Sequence, residues 1–330
     1  MDERDGQASG ALPDSEGASP RPEGPMLEVR FVVEEHCSGW RLDRYLHHKI
    51  PRLSRTRVQR ILRVQVTLDG RGALRPSVRV RAGQPLVMRR PIPPEPDAPT
   101  AFGVLFEDDV VLAIDKPAGL AMHATARYHR GTLTWLLRAQ RPGEPIAIAH
   151  RLDRETSGIV LCGKTTAAAT ALKGAFARRA VAKRYLAVVE GDLRGEGVID
   201  RPLALARESP IRVKMEVAQD GLPSRTRWRS LDRRGAITLV EAIPETGRQH
   251  QIRVHFAAIG HPVAGDKLYL DDAIFVAFAA GALGDEARAR LRIDRHALHA
   301  ASLATAHPTT GALLRIESPL PADMRALLES

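Results

Sequence analysis

Residues 27–33 alternate Leu27, Val29, Phe31 and Val33 around Glu28 and Arg30, with Val32 also apolar, and this two-residue period predicts a short strand. Leu42, Tyr45 and Leu46 then fall at helical spacing until Pro51 stops the run. Ser54 predicts the N-cap of a second helix whose apolar stripe is Val58, Ile61 and Leu62. Val64, Val66 and Leu68 before Asp69-Gly70 predict a strand and a tight turn. Val78, Val80 and Gly83, then Leu86-Val87-Met88, predict another turn and a closing strand. Residues 91–99 hold five prolines in nine positions, which predicts a stiff linker and a domain boundary.

Past that boundary the texture changes. Val110, Val111, Leu112 and Ile114 predict a buried strand, ended by the turn residues of Asp115-Lys116-Pro117-Ala118-Gly119. Ile146, Ala147 and Ile148 lead into HRLDRETSGIVLCGKT (150–165), in which Thr156-Ser157-Gly158 carries turn chemistry. Asp153 is thereby placed on a loop between two strands, flanked by Arg151 and Arg154, and two adjacent cations favour its ionised form, as a nucleophile requires. An Ala-rich helix over 166–180 precedes a strand in which Tyr185, Ala187 and Val189 share a face. Thr246 and Gln249 stand at capping-box spacing ahead of the stripe Ile252, Phe256 and Ile259, which ends at Gly260 and Pro262. Arg248 and Arg253 are then available to an anion near that helix's N-terminus.

Composition narrows the classes. A chain of 330 residues with 44% hydrophobic and 27% charged side chains has room for about two globular domains. It contains no apolar run of the roughly 18 residues that span a membrane. Cys37 and Cys162 are too few for a disulfide framework or a Cys-rich zinc site, which fits a reducing compartment and a cytoplasmic protein. Residues 1–25, rich in Gly, Pro, Ser and acids, are expected to be a disordered tail, and they resemble neither a secretory signal nor a transit peptide.

Charge changes the picture more. Lys and Arg number 49 against 39 Asp and Glu, a net of +10. Positions 41–90 alone carry 14 Lys/Arg and two acids, a local net of +12, so the basic surface belongs to this module. Arg55, Arg57, Arg60 and Arg63 cover the second helix without the interleaved acids of an ordinary solvated face, which points to phosphate contacts.

Other chemistries find less support. His250, His255 and Asp153 lack metal-ligand spacing, so no metal is expected. Gly119, Gly158, Gly191 and Gly247 form no nucleotide-binding loop, and Ser157 lacks a hydrolase elbow, so no cofactor is expected either.

RLDRYL, SRTRVQRIL, VTLDG and VRAGQPL, in that order over about residues 40–90, resemble the RNA-binding domain of the ribosomal small-subunit protein S-four type. IDKPAGL, HRLDRETSGIVLCGKT, KRYLAVVEG and TGRQHQIRVHFAAIGHPVAGDKLY, with RHALHAASLATAHPTTG and SPLPADM, resemble the ordered motifs of the pseudouridine synthases of the Rlu type. Glu155 stands where that family more often has Asp, and 271–294 is less family-like, as a local insertion would be. The resemblance implies an α+β fold over residues 100–330, with a mixed, mainly antiparallel sheet and flanking helices, preceded by the S-four-type domain over 27–90.

It also implies structured RNA as the partner and a redox-neutral isomerisation of uridine that needs no cofactor; the basic module makes large-subunit ribosomal RNA the first expectation and tRNA the second, and a monomer is the default. Asp153 is then the nucleophile or base, Tyr185 stacks on uracil and assists proton transfer, and Arg253 pairs with Asp153, with Arg248 as the competing cation. Arg151 takes the place of the flipped base and His150 orders the loop. A ribosome-assembly factor that binds RNA without chemistry is the competing class, and the presence of Asp153, Tyr185 and Arg253 favours the enzyme. A nucleoside hydrolase would have no use for the basic module.

Overall fold

The computed structural model describes residues 26–51, 53–91, 95–125 and 127–329, apart from the side chains of Arg55, Arg90 and Pro91. The expected tail 1–25 lies outside the described residues. The chain divides into two compact units, one ending at Pro94 and one beginning at Glu95.

In the first unit, strands β1 (Met26–Val32), β2 (Val66–Leu68) and β3 (Pro85–Pro91) form an antiparallel sheet in the order β1-β3-β2. Helices α1 (Leu42–Lys49) and α2 (Arg55–Val64) pack their buried Leu42, Tyr45, Leu46, Val58 and Leu62 into one core with Val66 and Leu86 from the strands. Each such side chain contributes about 1.5–3 kcal/mol by leaving water. The Ser54 hydroxyl accepts the Arg57 backbone N–H at 3.3 Å, capping α2. Val64 closes that helix and is exposed, so β2 begins only at Val66, after which Asp69 and Gly70 turn the chain with positive φ of 50° and 76°. Of the expected linker 91–99, Pro91 ends β3 and residues 92–94 lie outside the described residues. Glu95 is already fastened within the second unit by the backbone N–H groups of Arg130 and Gly131 (2.7 and 2.8 Å).

The second unit is built on one mixed, mainly antiparallel sheet. Its strands are β4 (Gly103–Glu107), β5 (Val111–Lys116), β6 (Ala147–Ile148), β7 (Ser157–Gly163), β8 (Ala182–Glu190) and β9 (Glu196–Asp200), then β12 (Arg225–Arg234), β13 (Ile237–Pro244), β14 (Leu298–Ala306) and β15 (Leu313–Glu317); β10 (Leu203–Leu205) and β11 (Met215–Val217) pair separately. The order is β4-β5-β7-β14-β8-β13-β12-β9, with β6 paired to β7 and β15 to β14. Among the described residues β7–β14 is the one parallel pair. Helices α3 (Leu133–Gln140), α4 (Thr166–Ala177), α5 (Gln251–Ala258), α6 (Asp272–Ala279), α7 (Asp285–Leu291) and α8 (Ala322–Glu329) flank it.

Both faces of β5 and β7 are covered, which is why they read as continuous apolar runs. Leu112, Ile114, Val160 and Cys162 face α3, while Val111, Ala113, Ile159 and Leu161 share a cluster with Leu172 of α4. Ser157 and Gly158, expected in a turn, are the first residues of β7. Gly158 has φ +103°, and a Cβ there would lie 2.3 Å from the Ala300 carbonyl oxygen. The glycine signal therefore marks a close approach of β14, not a turn. Ala300 also pairs with Tyr185 of β8, so this crossing sets the spacing between the Asp153 loop and Tyr185.

Candidate active site

The loop from β6 to β7 is fastened at both ends. The Ala149 N–H donates to Leu161 O (2.9 Å), and the Thr156 N–H closes a turn onto Asp153 O (3.1 Å). Leu152 anchors it in the core with Leu112 and Leu133, leaving its neighbours Arg151 and Asp153 at a cavity. Lys116, fully buried at the end of β5, donates to the carbonyls of Pro117, Leu120 and Arg154 at 2.8, 2.9 and 3.0 Å, tying the loop to the sheet. Burial pulls the Lys116 pKa down to about 7, and the three carbonyls stand in for its lost water.

Asp153 meets its cation from α5. Arg253 Nη1 donates to Asp153 Oδ2 at 2.9 Å, and His250 Nε2 lies 3.9 Å from Oδ1. Burial works against the carboxylate, but the Arg253 charge first, with the more distant Arg151 adding to it, holds the Asp153 pKa below its usual value. Arg154 is not a second cation for Asp153, because its side chain is committed to the Tyr128 hydroxyl (2.5 Å) and Glu155 (2.8 Å).

Arg253 is itself held on its other edge. Its Nε and Nη2 donate to the two oxygens of Asp266 at 2.6 and 2.8 Å. Asp266 is fully buried and also accepts the backbone N–H groups of Leu268 and Tyr269. Burial opposes the guanidinium charge, and the Asp266 and Asp153 carboxylates outweigh it, so Arg253 stays charged. Of the two arginines expected to be available to an anion, Arg253 is taken up by these two carboxylates, one of them its expected partner Asp153. Arg248, the competing cation, points its Nε at Pro223 O (3.3 Å).

The start of α5 also differs from the capping-box reading. The Thr246 hydroxyl donates to Gln251 Oε1 (2.6 Å) and accepts the Arg225 N–H (3.0 Å) from β12, while Gln251 Nε2 donates to Arg225 O and Thr226 Oγ1 (2.9 Å each). These buried partners take Thr246 out of the capping role, and α5 starts at Gln251 after His250 in left-handed backbone, φ +55°. That conformation is costly for a non-glycine residue. His250 Nδ1 shares a 2.8 Å hydrogen bond with the Tyr269 hydroxyl, and burial pulls its pKa down to about 4, so its ring is neutral near pH 7.

His150 belongs to the same loop and ties it to β7. Its Nε2 accepts the Leu161 N–H (3.0 Å), which puts the proton of the neutral ring on Nδ1, and it stacks on Phe176 at 4.2 Å. Burial, with Lys183 adding to it, lowers its pKa to about 3. Tyr185 comes from β8 and lines the same cavity, of about 540 Å³, as Asp153. The residue is half-buried, and among the described residues its hydroxyl has no hydrogen-bond partner. Burial, then the Asp153 charge, raises the Tyr185 pKa, so the hydroxyl keeps its proton.

Arg151, exposed and without an ion pair among the described residues, borders this cavity and a second one of about 580 Å³ across the loop. Lys183, Arg179 and Arg248 complete a basic rim that sequence reasoning drew on only for Arg248. The sequence motifs KPAG and GHPVAGDKLY contain Lys116, Asp266 and Tyr269, but nothing local in them, or around His250, signals the roles these four residues take. In the first unit, Arg57, Arg60 and Arg63 are exposed and make no ion pairs among the described residues; the side chain of Arg55 lies outside that description. No helix among the described residues is long and apolar enough to cross a membrane.

An ionised carboxylate at a cavity within the size range of small-molecule sites, beside a protonated tyrosine and a basic rim, suits chemistry on a polyanionic substrate. The comparisons agree. Residues 110–258 match the family described as RNA pseudouridylate synthase. A ribosomal large subunit pseudouridine synthase D of Nitrosomonas europaea is 37% identical, covering 100% of this chain and 95% of that protein. An uncharacterized RNA pseudouridine synthase of Chloroflexus aurantiacus is 38% identical over 90% of this chain and 92% of its own length. The solved human RNA pseudouridylate synthase domain containing 1 superposes with a TM-score of 0.54 at 27% identity, covering 68% of this chain and 86% of that one. The chain belongs to the RNA pseudouridylate synthase family, enzymes that isomerise uridine to pseudouridine.

Proposed function

We propose that this enzyme acts on ribosomal large-subunit RNA and that Asp153 begins the reaction. The observation that carries the assignment is the Asp153–Arg253–Asp266 array opening on a cavity beside the unpartnered Tyr185 hydroxyl. The reaction breaks the bond from ribose C1′ to uracil N1, makes one from C1′ to C5, releases the C5 proton and leaves a proton on N1. Attack of Asp153 on the sugar, its attack on the uracil ring, and removal of a sugar proton all require the same ionised carboxylate, which Arg253 maintains. Tyr185, held in the protonated form, stacks on the uracil and serves the proton exchange. Arg151 fills the stack vacated by the flipped base, at a cost to the RNA of a few kcal/mol, and His150 orders the loop through its bond to the Leu161 N–H.

The substrate assignment rests on the names of the full-length relatives and on the first unit, whose +12 segment we read as an S-four-type domain gripping structured RNA through Arg57, Arg60 and Arg63, with Arg55 beside them. A monomer in the cytoplasm, without cofactor and with tRNA as the second substrate, completes the reading.

RNA carrying tritium at uridine C5 tests it. Native protein should release tritium from large-subunit rRNA, and Asp153→Ala should release none while binding the RNA as tightly. Release by Asp153→Ala would overturn the assignment of Asp153. Release from tRNA alone would overturn the substrate, and tight binding without release from rRNA, ribosomal subunits or tRNA would favour an assembly factor.

A further inference from the structure

The first unit gathers three metal-type donors that the sequence does not reveal by any ligand spacing. His36 and Cys37 end a single 3-10 turn (Glu35–Cys37), and His48 lies in the last turn of α1. The two imidazoles meet edge to face at 6.3 Å, and the Trp40 ring stands edge-on to both, at 6.5 Å from His36 and 5.5 Å from His48. Cys37 is fully buried as a member of the unit's core, whereas both histidines are exposed. Among the described residues none of the three side chains has a hydrogen-bond or ion-pair partner.

One nitrogen of each imidazole and the Cys37 sulfur all lie within 4.8 Å of one another. Three points so spaced share a centre within about 2.8 Å of each, against zinc bond lengths of about 2.0–2.1 Å to histidine and about 2.3 Å to cysteine. Closure thus needs each donor to move by only about 0.5–0.8 Å, within the reach of two exposed imidazoles rotating on their side-chain torsions. A thiol with two imidazoles suits a borderline-soft cation, and this trio includes no carboxylate oxygen to favour magnesium or calcium.

We infer that His36, Cys37 and His48 form a zinc site with its fourth position open to water, linking the 3-10 turn to the end of α1. This is independent of the chemistry at Asp153.

The test uses the full-length chain, reduced and stripped by chelation, titrated with cobalt(II) as a spectroscopic probe for zinc. The expected result is a thiolate-to-cobalt charge-transfer band with tetrahedral ligand-field bands, saturating at one equivalent and displaced by zinc. His36→Gln and His48→Gln should each weaken binding at least tenfold, and Cys37→Ser should abolish the charge-transfer band. Because Cys37 is buried, the two histidine variants carry the test if the serine protein fails to fold. Absence of saturable bands would overturn the proposal. So would a charge-transfer band of undiminished affinity in both histidine variants, since a thiol alone would then account for it.

Discussion

Replacing Arg253 by methionine removes the cation that opposes burial at Asp153 while keeping much of the side chain's length. An opposite charge within about 4–6 Å lowers a carboxyl pKa by roughly 1–3 units, and Arg253 Nη1 is 2.9 Å from Asp153. His250 cannot replace it, being neutral near pH 7. In Arg253→Met the acid limb of kcat/KM, measured by tritium release across pH, should move to higher pH. The substitution also strands the fully buried Asp266. Leaving one partner of a buried pair unpaired costs about 3–5 kcal/mol, which at roughly 2–4 °C per kcal/mol lowers Tm by about 6–20 °C.

The two effects separate. In the native protein the depressed Asp153 pKa contributes stability above its unfolded value of about 3.9, lost as pH falls through the folded value. With Arg253 gone the Asp153 pKa is raised, so its contribution changes sign and the Tm deficit should shrink as pH falls. Arg253→Met with Asp266→Asn removes the stranded charge as well, and should recover at least half of the lost Tm while leaving the acid limb displaced. An unmoved acid limb in Arg253→Met would refute the account of Asp153. A double variant no more stable than the single one would refute the role of Asp266.

Tyr185→Phe removes a hydroxyl with no protein partner among the described residues, so tritium release should fall about 10²–10⁴-fold with Tm changed by less than about 2 °C, the scale of a neutral substitution; a larger loss of Tm would mark the hydroxyl as structural. Alanine at Arg57, Arg60 and Arg63 together should weaken RNA binding and flatten its salt dependence by roughly 2–3 in logarithmic slope, leaving kcat for bound RNA unchanged; an unchanged slope would remove these arginines from the interface. Gly158→Ala places a Cβ 2.3 Å from the Ala300 carbonyl at positive φ, so thermal unfolding should show a loss of about 3 kcal/mol or more; a loss under about 1 kcal/mol would mean β14 yields there.

What the sequence disclosed and what it withheld follow from the range over which each interaction acts. Strands β5, β7 and β8 and the loop between β6 and β7 announce themselves through local apolar runs, which is why Asp153 and Tyr185 can be placed before any coordinates. Direction along a loop is a different matter. Arg154 adjoins Asp153 in sequence yet is claimed by Tyr128, while the cation that does reach Asp153 comes from α5, a hundred residues on. The same competition defeats the capping-box reading, because Thr246 finds Arg225 on β12 and the buried Gln251 amide before it can cap anything. Gly158 shows the limit most sharply. A glycine after Thr and Ser satisfies every local criterion for a turn, yet its missing Cβ answers to the Ala300 backbone on a strand formed near the end of the chain. Local chemistry therefore identifies residues suited to a site, while the far contacts of Arg253, Asp266 and Gly158 determine how Asp153 is held and charged.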